Sequence, residues 1–235
     1  MTKRLAAILA LAGALALGLS AQKKEKPWAE WSKKDAEKIL NDSSWGQTQT
    51  FTDTSQMTYS PTAAGRTSDQ GERNQATSIK YYIRFFSARP IRQAMVRQML
   101  LDMKTAPDQQ TAERLNNFAE MESKESIIVT VIHASKDGRF SGAATQAFHS
   151  ATTSSLKNVA YLERKDGKRV FVQEYVVPGK DGFGARFIFP REVDGRPVLT
   201  PETGDVRFVA EVSKSVKLDM KFKVSEMMYG GKLEY

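Results

Sequence analysis

From Val159 onward the apolar residues of this chain recur at every second position, which limits its second half to β-structure with one buried face. The pattern predicts strands over 159–164, 168–177, 184–190, 206–213 and 217–227. It is clearest in the last of these. Leu218, Met220, Phe222 and Val224 face one way, while Lys217, Asp219, Lys221 and Lys223 face the other. One apolar and one charged face suit an antiparallel sheet wetted on one side. Asp166-Gly167 joins two such runs as a hairpin, and Gly230-Gly231 turns the chain into a last strand over 232–235.

The first half mixes periods. Ser32 is followed three residues later by Asp35, the spacing of a capping box, and opens a short helix with Ile39 and Leu40 on its apolar face. Gln47–Asp53 reads as a polar edge strand around Phe51. Residues 60–76, rich in charges with Pro61, Gly65 and Gly71, are expected to form a mobile loop. The strand at 78–87 places Ile79, Tyr81, Ile83 and Phe85 on one side and Tyr82 and Phe86 on the other.

Pro90 and Pro107 each open a helix, and the short link between them predicts an antiparallel pair. The β-branched run at 126–134 reads as a strand buried on both faces, and the Ala-rich 141–157 as a further helix. The expectation is an α+β fold: a largely antiparallel sheet of about six to nine strands with two to four helices packed on one face. It is organised as a leader (1–21), a linker with a short helix (22–45) and a single domain (46–235).

The leader has its own logic. Lys3 and Arg4 precede an Ala/Leu-rich stretch that ends at Leu19-Ser20-Ala21, the order of a cleavable secretory signal too short to span a bilayer. Its removal leaves 33 basic against 27 acidic residues, a net +6 spread along the chain. No later stretch is apolar enough for a membrane helix, and the complete lack of Cys removes disulfides and thioether lipid anchors. The expected product is periplasmic or secreted, away from ATP, NAD and nucleic acid.

The residues that carry chemistry elsewhere are sparse here. His133 and His149 are the only histidines, too few for a zinc centre without Cys. Serine-hydrolase catalysis lacks its G-x-S-x-G elbow. Gly179–Gly184 has the look of a phosphate loop but lies between strands with no helix behind it. The basic-aromatic stretch 80–86 lacks the glycines of an RNA-binding strand and belongs to an exported chain. Met95, Met99 and Met103 recur every four residues on one helix face; thioethers can hold Cu(I), yet the spacing is that of a core-facing stripe. No cofactor or metal is expected.

Three groups remain as candidate binding residues. Trp28, Trp31 and Trp45 could form a stacking platform, or could pin the terminal helix to the body. Tyr81, Phe85, Met95 and Met99 could line an apolar pocket between layers. Lys214, Lys217, Lys221 and Lys223, near Arg207, could contact an anionic surface, or could guard a sheet edge against pairing.

Trp28-Ala-Glu-Trp31 with Asp35–Leu40 and Ser44-Trp45, the run Ala185–Arg191 containing Phe-Ile-Phe-Pro-Arg, and Phe222–Met227 leading to Gly231-Lys-Leu-Glu-Tyr235 together resemble a family of exported bacterial proteins of unknown function. The resemblance implies one continuous exported domain and no activity. The function expected is a non-catalytic envelope protein that binds another envelope component or a small apolar ligand, with no nucleic-acid partner. Two alternatives stand beside it: a hydrolase using dispersed Asp and Glu residues, and an assembly module acting through the tryptophans.

Overall fold

Two antiparallel sheets arise from the alternating strands, and one of them recruits the β-branched segments of the first half. The computed structural model describes residues 26–53 and 77–235; the leader and the loop expected at 60–76 lie outside the described residues. In chain order the elements are α1 (Lys33–Asn41), β1 (Gly46–Asp53), β2 (Thr77–Phe85), α2 (Arg89–Asp102), α3 (Gln109–Glu120), β3 (Ser126–Ser135), α4 (Gly138–Ser150), α5 (Thr153–Leu156), β4 (Ala160–Arg164), β5 (Arg169–Phe171) and β6 (Glu174–Val176). They continue with β7 (Ala185–Pro190), the small hairpin β8 (Glu192–Val193) and β9 (Arg196–Pro197), β10 (Asp205–Glu211), β11 (Lys217–Lys223), and the C-terminal pair β12 (Met228–Tyr229) and β13 (Lys232–Leu233). The main sheets run β1-β2-β3-β7-β6 and β11-β10-β4-β5. The fold is α+β, as the periodicities require, with its antiparallel strands divided between two layers.

The division happens inside one expected strand. Residues 168–177 break at Val172-Gln173, so that β5 pairs with β4 in one sheet and β6 with β7 in the other. No amide is lost at the corner: Val172 N–H donates to the Ala160 carbonyl (2.9 Å) and Gln173 N–H to that of Ile188 (2.8 Å). The opposite edges are stitched by a side chain. The Gln49 amide on β1 donates to the Lys217 carbonyl (2.9 Å) and accepts from Asp219 N–H (2.8 Å), replacing a ladder between β1 and β11. With both edges joined, the sheets enclose one interior like a flattened barrel and leave no long unpaired strand edge between β1 and β11.

Side chains on the inner faces fill that space. Phe85 meets Phe222 edge-on across the layers (4.9 Å between ring centres), and Phe187 meets Phe208 in the same way (5.2 Å). The outer face of the five-stranded sheet carries α1, and α2 packs against α1 and α3. Arg84 points outward from β2 and donates to the Leu40 carbonyl (3.0 Å) and the Asn41 side chain (2.8 Å), satisfying the end of α1. Burial lowers the Arg84 pKa to about 10, so it stays charged. The approach of β1 to α1 depends on Gly46, where an added Cβ would lie 2.3 Å from the Leu40 carbonyl oxygen. The capping box of Ser32 and Asp35 forms as expected.

The methionine stripe departs from expectation. The first half of α2 is buried on every side, Arg92 and Gln93 included, and Met95 lies within that half. Farther along, Met99 and Met103 are 37% and 39% exposed. The helix outruns what it packs against, so the four-residue repeat continues into solvent. It is not a core-facing stripe.

Candidate functional site

The hairpin side of the β3–α4 connection holds the most ligand-like feature. Asp137 caps α4 by accepting from Arg139 N–H (2.9 Å), which starts the helix directly after β3. Near the C-terminal end of α4, Phe148 packs against the Tyr81 ring (6.3 Å) and stacks on His133 (5.7 Å, 14° between planes). His133 Nε2 also lies 3.1 Å from the Thr145 hydroxyl. That end is therefore anchored by a large ring. The middle of the helix offers Gly142, Ala143 and Ala144, residues too small to reach the sheet. Volume is left between them.

The result is a cavity of about 460 Å³. Its walls are Phe51 and Ile79, which face each other across β1 and β2, together with Tyr81, Phe140, Ala143, Ala144 and Val216. Arg139, Lys214, Ser215 and Lys217 complete the lining from the start of α4 and the β10–β11 turn. A mostly apolar hollow with a few polar groups is the usual form of a small-molecule site, and this volume falls within the usual range of about 300–1,000 Å³.

The charges are unevenly satisfied. Arg139 forms two hydrogen bonds to the Asp137 carboxylate, at 2.7 and 3.2 Å. Lys217 lies 3.5 Å from Glu211. Lys214 has no acidic partner among the described residues. Tyr81 is only 4% exposed, and its hydroxyl has no hydrogen-bond partner among the described residues. Burial raises its pKa, so the phenol remains neutral.

The candidate residues are distributed by this geometry. Tyr81 lines the cavity, and so do Lys214 and Lys217, which were singled out for another reason. Phe85 lies at the opposite end of the interior against Phe222. Met95 lies buried on α2 and is not among the residues lining the cavity, and Met99 is exposed. Lys221 pairs with Asp205 (2.6 Å) and Lys223 with Glu226 (3.0 Å), while Arg207 bridges Asp219 and Glu163. The outer face of the four-stranded sheet is thus a lattice of opposite charges and not a basic patch.

The tryptophans serve as anchors. Trp31 and Trp45 are each 7% exposed, their indole N–H groups donating to the main-chain oxygens of Lys26 (3.0 Å) and Glu234 (2.8 Å). Trp28 is half-buried and donates to Glu120 (2.8 Å). No stacking platform results.

Phe51, Phe140, Ala143 and Val216 were not foreseen as a site. The signal available for them was the run of small residues at 142–144, flanked by Phe140 and Phe148 on one helix. Among the described residues, no three His, Asp or Glu side chains group closely enough to hold a metal ion, and no helix is long and apolar enough to cross a membrane. A second hollow, of about 540 Å³, lies by the β8–β9 hairpin and is lined by Arg164, Lys168, Arg169 and Arg196 with Asp194. Two of those cations are already held, Arg164 by Asp166 and Arg169 by Glu163. Comparison with known proteins returned no matching family model, no curated relative and no solved structure.

Proposed function

We propose that this is a non-catalytic, exported binding protein that takes a small apolar ligand into the cavity between α4 and the β1–β2 edge. One observation carries the reading: where α4 meets the β1–β2 edge, an open-sided apolar cleft of about 460 Å³ is walled by Phe51, Ile79, Phe140 and Val216, and the Phe51 ring is left 55% exposed. Large apolar side chains gathered around a concave site, and not scattered singly over the surface, are the usual form of a small-molecule site. The Lys-Arg start and Ala/Leu-rich run of residues 3–21 support an extracytoplasmic setting. There, poorly soluble molecules need carriers.

Titration with Nile red, a neutral apolar dye, tests the proposal. The expected result is saturable fluorescence enhancement by the native protein and its loss in Ala143→Trp. Ala143 is exposed on α4 yet lines the hollow, so the larger ring can occupy the space without disturbing the helix. Enhancement of equal size in the variant, with thermal unfolding unchanged, overturns the reading. So does its absence in the native protein.

A further inference from the structure

We infer that the ligand is a single-chain amphiphile with a carboxylate head, its chain within the cavity and its head held at the mouth by Lys214 and Lys217. The inference rests on the reading of the cavity as a ligand site and adds the chemistry of what enters it.

The argument begins with the charge inventory of the mouth. Three cations line it, Arg139, Lys214 and Lys217, all on exposed positions. Two carboxylates stand beside them. Asp137 is engaged by the Arg139 guanidinium, and Glu211 faces Lys217 at a long 3.5 Å. Lys214 is left with no acidic partner among the described residues. One positive charge is therefore in excess, next to a second that is weakly held.

The walls carry nothing comparable. Beyond the mouth the only ionisable side chain among the described lining residues is Tyr81, and burial holds its phenol neutral. An anion bound against the walls would lose part of its water without gaining a countercharge. A molecule with one anionic end and an otherwise apolar body meets both conditions. A dianion with charges at its two ends does not.

The distribution of lysines across the molecule points the same way. Lys221 and Lys223, on the same strand as Lys217 but away from the cavity, are neutralised by Asp205 at 2.6 Å and Glu226 at 3.0 Å. The uncompensated charge on this stretch of chain is confined to the turn that borders the hollow. Ser215, between the two lysines and also lining it, supplies a hydroxyl to the same position.

Competition for bound Nile red by decanoate, decanol and decylammonium, which share a chain and differ in head, is the test. Decanoate is expected to compete about fivefold to tenfold better than decanol, the scale of one charge-assisted contact in a partly wet setting, and decylammonium worst. The preference should shrink at high salt. In Lys214→Gln decanoate should fall to the level of decanol, whose own affinity stays put. Equal competition by all three heads overturns the carboxylate assignment and leaves the apolar site standing. A preference that survives in both Lys214→Gln and Lys217→Gln overturns the placement of the head. Failure of every chain to displace the dye brings down the site itself.

Discussion

The two ends of the interior are built from the same strands and behave as opposites. At the far end Phe85 and Phe222 close the gap between sheets at 4.9 Å, Phe189 and Phe208 pack edge-on at 6.3 Å, and Met227 is fully buried. At the near end, where β2 begins with Ile79 and Tyr81, Phe148 packs on Tyr81 but the middle of α4 offers only Ala143 and Ala144 to the cavity wall. Identical alternation produces solid packing at one end and a hollow at the other. Alternation decides which way a side chain points; side-chain volume decides whether the space it points into is filled.

The largest expected contrast comes from truncating one phenylalanine at each end. Phe222→Ala should cost about 3–5 kcal/mol in urea unfolding, because the ring is fully buried and its loss leaves a void between two sheets. Phe140→Ala should cost only about 1 kcal/mol, since that ring is half-buried on the wall of an existing hollow. Equal costs would break the distinction between a packed end and an open one.

Acid should distinguish the ends as well. His133 sits at the near end, stacked on Phe148, and burial lowers its pKa below the ordinary 6.5, with the charge of His149 adding to the effect. The unfolded chain therefore takes up this proton at higher pH than the folded one. The associated stability is complete above pH 6.5 and is lost as the pH falls through that value toward the folded pKa. The difference in stability between native protein and His133→Gln, followed by unfolding from neutral to mildly acidic pH, should narrow on acidification. A difference that stays constant would mean the imidazole is not held neutral by its packing.

The smallest effect belongs to the charged outer face of the four-stranded sheet. Lys221→Gln removes an exposed pair with Asp205 and should leave the unfolding midpoint within measurement scatter. A clear loss would show that the charge lattice contributes to holding β10 against β11.

How legible each part was follows from the range of the forces that made it. The capping box at Ser32, the hairpin at Asp166-Gly167 and the alternation of β11 involve neighbours a few residues apart, and all three stand where the sequence indicates. The stripe Met95–Met99–Met103 misled because periodicity reports one helical face and not how far the partner surface extends. Trp45 offered no local hint that its N–H would meet Glu234, 189 residues away.

Residue order alone determined the α+β class, the approximate positions of most strands and, in β11, which side would be wet, since these depend on backbone period and on the apolar or charged character of single residues. It also placed Tyr81, Lys214 and Lys217 among residues worth watching, on separate grounds. Their meeting at one cavity was decided by the tertiary structure. It required the break at Val172-Gln173 to send β5 and β6 into different sheets, the Gln49 side chain to hold β1 against β11, and α4 to be anchored by Phe148 with only small residues, Gly142 to Ala144, at its middle. Those are contacts between distant segments, and whether a volume stays empty depends on all the walls at once.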